Sequence, residues 1–325
     1  MPTRDTVAPG IHHVTAIAGD PQRNVDFYAG VLGLRLVKRT VNFDDPGTYH
    51  LYYGDETGTP GTIMTFFPWP SAPRGRDGAG QTTATAFTIP ARAVGWWIER
   101  LSRAGLADVQ TVERFGSPTL CFVDPDGLAL ELVESEEVPA EAAWGGADIP
   151  ASAAILGFHG VTLTERRLEA TAAVIERQLG WLQTAEEDDR FRFSAPGTAP
   201  GRHIDVVVRP GAERGMVAVG TVHHVAFRVA DDAAQAASRA SAARAGLHVT
   251  PVMDRQYFRS IYYREPGGVL FEMATDPPGF TRDETVHDLG RDLKLPPWLE
   301  AARHTIERTL PELRLPAAHP LKAEP

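Results

Sequence analysis

The stretch Ile11-His12-His13-Val14-Thr15-Ala16-Ile17 decides the fold, because it returns late in the chain as Val222-His223-His224-Val225-Ala226. Each copy lies in a run that alternates apolar and polar residues with the period of a strand. The first copy opens a unit that continues with an amphipathic helix over 21–32 ended by Gly33, then strands near 34–42, 48–53 and 61–67. Glycine reaches the left-handed conformation that stops a helix without the penalty a Cβ would incur. A second unit has a strand over 82–89, a helix over 92–104 stopped by Gly105 and a closing strand at 128–133. The third runs from a strand at 157–163 through a helix at 168–179, Gly180, and a strand at 204–208. The fourth has a strand at 222–229, a helix at 232–245, Gly246, and strands through Met273. Four weak repeats of roughly 55 residues, each ordered strand, helix, glycine, strands, imply an α+β architecture of four βαβββ modules.

The closing hairpins support the repeat. Asp124-Pro125-Asp126-Gly127 and Glu265-Pro266-Gly267-Gly268 are turn sequences set between apolar runs. Each leads to a carboxylate four residues past its last glycine, Glu131 in one case and Glu272 in the other. Counting likewise from Gly61 and Gly201 gives Thr65 and Asp205. Between the halves, residues 134–154 are acidic and rich in Ala, Gly and Pro, with no clean period, as a linker is. The expected organisation is an N-terminal domain over 8–138, a linker over 139–154, a C-terminal domain over 155–280 and a tail over 281–325. That Pro-containing tail is expected to wrap the second domain or to meet a partner chain.

The chain has 325 residues, 43% hydrophobic and 23% charged, enough to bury more than one core and unlike a disordered composition. A formal charge of -10, with no long Lys/Arg cluster, opposes a nucleic-acid partner. Residues 1–10 lack a basic segment followed by an apolar run, and no long apolar stretch occurs, so a cytoplasmic protein with no membrane partner is expected. The single cysteine, Cys121, sits in an apolar run and reads as a buried thiol rather than a nucleophile. Assembly into a homo-oligomer is left open.

Chemistry enters with the doubled histidines. Successive strand side chains point to opposite faces, so one His of each pair faces the concavity of a curved sheet and the other faces away. His13 and His224 share their faces with Thr15 and Ala226. With Glu272 they make two imidazoles and one carboxylate, the facial set that suits non-haem Fe(II) and leaves positions open for substrate and oxygen. A lone strand histidine is more often structural, and the repeat is what changes that reading. In modules two and three Ala84 and Gly160 stand where His13 and His224 do, so Glu131 and Asp205 lack imidazole partners and are not expected to bind metal. His159 aligns with His12 and reads as a packing or hydrogen-bonding group. His50, His203, His248, His287, His304 and His319 fall outside the register and read as surface or structural histidines.

The motifs Gly10-Ile-His-His-Val-Thr15, Phe27-Tyr28 with Leu32-Gly-Leu34, Tyr49-His-Leu-Tyr-Tyr53 with Gly58-Thr-Pro-Gly61, Val222-His-His-Val-Ala-Phe227 and Pro266-Gly-Gly-Val-Leu-Phe-Glu272 resemble the vicinal oxygen chelate superfamily. More narrowly, over about residues 8–295, the chain resembles its ring-cleaving dioxygenases of the hydroquinone type. The resemblance implies two funnel-like mixed sheets. Modules one and four would share the one that holds the metal on His13, His224 and Glu272, and modules two and three would form one without metal. It implies Fe(II) as cofactor, with Mn(II) suiting the same ligands, and a small aromatic diol and O2 as reactants. Tyr262 and Arg255 match substrate-contacting positions, Thr15 a small polar pocket position, and His12 and His223 hydrogen-bonding positions beside the ligands; Tyr262 and Arg255 are the candidates for the catalytic hydrogen bond and positive charge near the phenolate, and His223 or His12 for moving a proton. A catechol dioxygenase is the near alternative. A glyoxalase-type isomerase would want more carboxylate than Thr65 allows, and a non-catalytic binding protein of the fold would lack the His set.

Overall fold

The computed structural model describes residues 7–136, 144 and 148–315. The expected linker at 139–154 therefore lies partly outside the described residues, as does the end of the tail.

Every module has the same five elements. Module one comprises β1 (Ile11–Ala18), α1 (Pro21–Val25), β2 (Arg35–Asn42), β3 (Asp45–Gly54) and β4 (Ile63–Pro68). Module two continues with β5 (Gln81–Pro90), α2 (Val94–Arg103), β6 (Gln110–Arg114), β7 (Ser117–Val123) and β8 (Ala129–Ser135). Module three has β9 (Gly157–Glu165), α3 (Glu169–Val174), β10 (Leu182–Glu187), β11 (Arg190–Ser194) and β12 (His203–Val208). Module four has β13 (Thr221–Val229), α4 (Asp232–Arg244), β14 (Met253–Asp254), β15 (Arg259–Arg264) and β16 (Leu270–Thr275), and a last helix, α5 (Arg303–Thr309), lies in the tail.

Local chemistry accounts for the boundaries. Asp20 caps α1 by accepting the Arg23 N–H at 2.8 Å, with Pro21 in the first turn, where its missing N–H costs nothing. Asp231 caps α4 in the same way, accepting from Ala234 at 2.8 Å. The four glycines read as helix stops, Gly33, Gly105, Gly180 and Gly246, all have positive φ. The helices of modules one and three differ from expectation in their last stretches, Asp26–Val31 and Ile175–Leu179, which widen into π turns.

The strands form two curled eight-stranded mixed sheets. The first has the order β14-β15-β16-β13-β1-β4-β3-β2, the second β10-β11-β12-β9-β5-β8-β7-β6. Modules one and four therefore share a sheet through the antiparallel β1–β13 pair, and modules two and three share the other through β5–β9. Each sheet takes one module from each half of the chain. The tail lies against the first module as well as the fourth: the buried Lys38 ammonium pairs with Asp283 and Glu284, and Tyr49 donates to the Pro311 carbonyl at 2.9 Å. Among the described residues no helix is long and apolar enough to cross a membrane.

Candidate metal centre

Register brings the ligands together. In parallel pairing Ala226 lies beside Glu272, and at the equivalent place in the other modules Thr15 lies beside Thr65, Ala86 beside Glu131 and Thr162 beside Asp205. The four positions counted from the turns are thus one structural position. His13 on β1, His224 on β13 and Glu272 on β16 come from adjacent strands and are 2%, 5% and 0% exposed. His13 Nε2 and His224 Nε2 stand 3.3 Å apart, and Glu272 Oε2 lies 3.3 and 2.9 Å from them. Among the described residues this is the one group of three or more His, Cys, Asp or Glu whose ligand atoms converge in this way.

The neighbouring histidines set the tautomers. His12 Nδ1 meets His13 Nδ1 at 3.0 Å and His223 Nδ1 meets His224 Nδ1 at 2.7 Å, so each inner ring can keep its proton on Nδ1 and present a bare Nε2. A register shift between Ile11 and His13 lets both rings of the first pair sit in the interior, where strict alternation would send one outward. Glu272 Oε1 accepts from the Ser260 hydroxyl, whereas Oε2 is buried without a hydrogen bond. Burial lowers His224, keeping it neutral, with Glu272 opposing. Two imidazole lone pairs and an unpartnered carboxylate oxygen aimed at one point fit a divalent cation with open positions.

Beside these ligands is a cavity of about 320 Å³ with aromatic walls, including Phe43, Phe67, Trp69 and Phe258. Arg255 and Tyr262 line it together, Arg255 Nε donating to the Tyr262 oxygen at 3.2 Å and Nη1 reaching Asp44 at 3.1 Å. Burial, and then Glu272, raise the Tyr262 phenol, with Arg255 opposing. His223 also lines the cavity, and burial together with His224 pushes it down to about 3. The remaining two expected residues stand elsewhere. His12 is 2% exposed behind His13 and against Phe258, and Thr15 is fully buried, bonded to Thr65 at 3.0 Å; neither lines the cavity.

One histidine, His50, requires correction, whereas His203 is structural as read. His50, read from the sequence as a surface or structural residue, lines the cavity and bonds Thr65 at 2.6 Å and Tyr52 at 2.8 Å. The signal was its offset: His50 precedes Tyr52 as Ser260 precedes Tyr262, and Tyr52 pairs with Thr65 as Tyr262 pairs with Glu272. His203, also set aside, is mostly buried, facing His159 with centroids 4.6 Å apart and bonded to Ser194 at 2.8 Å.

The second sheet shows what the same position does without histidines. Asp205 takes a two-point contact from Arg192 at 2.7 and 2.9 Å and a third bond from Arg190 at 3.0 Å. Glu131 lies 3.5 Å from Arg114 and 3.7 Å from the Cys121 sulfur. Cys121 is only half-buried rather than sealed in the core, and burial with the Glu131 charge pushes its thiol up to about 11, far from a nucleophile's range. Guanidinium groups neutralise the carboxylates there.

The chain matches the family described as Glyoxalase/Bleomycin resistance protein/Dioxygenase superfamily over residues 10–132 and 157–273. It is 48% identical over 301 residues to a Bacillus subtilis protein provisionally named ring-cleaving dioxygenase MhqO, covering 93% of this chain and 95% of that one. It is 36% identical to the chlorohydroquinone/hydroquinone 1,2-dioxygenase of Sphingobium indicum, covering 93% and 95% of the two chains. A crystal structure from Bacillus subtilis, described as a dioxygenase by assignment, superposes with a TM-score of 0.92 at 47% identity, covering 96% of this chain and 99% of that one. Glyoxalase I from Zea mays shares the fold at 14% identity and a TM-score of 0.62, covering 82% and 92%.

Proposed function

The chain belongs to the glyoxalase/bleomycin resistance protein/dioxygenase superfamily, and we propose that it works as a ring-cleaving dioxygenase, an oxidoreductase that opens an aromatic diol of the hydroquinone class with both atoms of O2. The observation that carries the reading is the convergence of His13, His224 and Glu272 beside a cavity whose walls are aromatic and whose polar groups include Arg255 and Tyr262. In this reading the three residues hold Fe(II), which supplies a Lewis acid that acidifies a bound phenol and a place where diol and O2 meet.

The remaining work belongs to the chain's own side chains. Arg255 brings a fixed positive charge and Tyr262 a hydroxyl to the oxygen that has lost its proton, stabilising negative charge in a site poor in water. Phe258 and the opposing aromatics bind the ring face and hold it for attack. His223, neutral and on the cavity wall, has its Nδ1 taken by His224 and so carries its proton on Nε2, where it can donate a hydrogen bond to a bound reactant. His12, sealed behind His13, acts by orienting that ring rather than by touching substrate.

Oxygen consumption tests the reading. Fe(II)-loaded protein should take up one O2 per hydroquinone, without added reductant, and labelled O2 should deliver both atoms to the ring-opened product. No uptake with hydroquinone or catechol, together with turnover of a glutathione hemithioacetal, would replace the dioxygenase with an isomerase.

A further inference from the structure

One polar wall of the cavity has no task in that chemistry. Tyr52 on β3 meets His50 Nδ1 at 2.8 Å, His50 Nε2 meets the Thr65 hydroxyl at 2.6 Å, and Thr65 meets Thr15 at 3.0 Å. The His50 ring is held between Tyr52 and Phe67, with centroids 4.0 and 4.3 Å away. Tyr52 and His50 line the same cavity as His13 and His224, and the Tyr52 hydroxyl bonds the His50 ring there.

The direction of these bonds is set by chemistry. Burial keeps His50 neutral and Tyr52 protonated. Between two neutral groups, a phenol is the stronger donor and a bare imidazole nitrogen the stronger acceptor. Tyr52 therefore gives its proton to Nδ1, His50 gives Nε2–H to Thr65, and the Thr65 hydroxyl is left to bond Thr15. With its only proton committed, the Tyr52 oxygen can offer a ligand nothing but lone pairs. The facing wall has the opposite polarity. Arg255, a fixed cation with no lone pair to offer, donates to the Tyr262 oxygen and lines that wall. These tyrosines occupy repeat-equivalent positions, Tyr52 beside Thr65 and Tyr262 beside Glu272, on opposite flanks of the β1–β13 seam.

We infer that Tyr52, which His50 holds as an acceptor, takes the hydrogen bond of the diol's second hydroxyl while the other oxygen lies toward Arg255 and Tyr262. The inference rests on the ring-cleaving reading and adds Tyr52 and His50 to it as specificity residues.

Binding without oxygen tests it. Fe(II)-loaded protein is titrated anaerobically with hydroquinone and with 4-methoxyphenol, which keeps the ring and distal oxygen but cannot donate there. Wild type should prefer hydroquinone by about 10- to 100-fold, the range for leaving a buried acceptor unpaired. Tyr52→Phe, with unchanged metal content, should bring the ratio near one by weakening hydroquinone. His50→Phe, which keeps the ring stack but frees the Tyr52 proton to donate, should narrow it by strengthening 4-methoxyphenol. An unchanged ratio in metal-replete Tyr52→Phe would overturn the acceptor assignment while wild-type O2 uptake on hydroquinone leaves the ring-cleaving reading standing. If neither compound binds the wild type, that reading fails too.

Discussion

A side chain can serve as a metal ligand only if its neighbours leave its lone pair free and pointing the right way. The two histidine pairs do this by doubling: the outer ring meets Nδ1 of the inner one, and the inner Nε2 atoms are left 3.3 Å apart. Glu272 is treated likewise, one oxygen bonded to Ser260 and the other unpartnered. We therefore expect His13→Ala, His224→Ala and Glu272→Ala each to lose stoichiometric Fe(II) while circular dichroism stays native, and Glu131→Ala to keep its metal. Full iron in Glu272→Ala, or its loss from Glu131→Ala, would refute the assignment. The convergence of His13, His224 and Glu272 was legible because a doubled residue at two repeat positions and a fixed count from a turn are patterns in one dimension. His50 was not, because what makes it part of the cavity is its bond to Thr65 on the next strand. Thr15 shows the converse: a residue near a ligand in sequence whose hydroxyl is turned to Thr65 and away from the cavity.

At the scale of elements, the two sheets are one design with two fillings. Strand and helix positions could be read from periodicity and from glycine stops, since both depend on neighbours a few residues away. The π turns and the bulge in β1 depend on what packs against them and left no local mark. The filling of the second sheet was half legible: Ala84 and Gly160 in place of histidines leave Glu131 and Asp205 without imidazole partners, but the partnership of Arg190 and Arg192 with Asp205 appears only once β11 pairs with β12. That cluster is largely buried, with Arg192 at 9% and Asp205 at 5% exposure. Removing one member strands the other charges, which costs about 3–5 kcal/mol when a buried pair is broken. We expect Asp205→Ala to lower the urea unfolding free energy by about that amount, and metal content per folded protein to stay at the wild-type level. A variant as stable as wild type would mean that solvent already screens the arginines.

Over the whole molecule, the sheets are joined by exchanging their closing turns. The turn of module two docks under module one: Asp126 accepts the Gly19 N–H at 2.8 Å and Asp124 accepts from Tyr28 at 3.0 Å. The turn of module four docks under module three, with Glu265 accepting from Thr171 at 2.7 Å and from the N–H groups of Gly267, Gly268 and Val269. Gly268 turns at φ 124°, a conformation that favours glycine, so the turn that leads to Glu272 is also the one that clamps the sheets. Which modules share a sheet could not be read from the repeat alone, because all four carry the same element order; it came from the resemblance. The two junctions differ in charge. Where Asp126 meets the Arg23 guanidinium, the equivalent place beside Glu265 holds the buried carboxyl of Glu165. Burial, and then the Glu265 charge, push Glu165 up to about 8, with Arg214 opposing. Its proton is therefore held in the folded state up to about pH 8, whereas the unfolded chain releases it near 4.5. The stabilisation that proton provides is complete below about 4.5 and is lost as pH rises through about 8. Glu165→Gln keeps an N–H donor to Glu265 and cannot ionise. It should match wild type in urea unfolding at pH 5 and exceed it at pH 9 by about 1–3 kcal/mol. If the two proteins lose stability in parallel between those pH values, the junction does not hold the proton and the carboxyl pair is not what couples the sheets to pH.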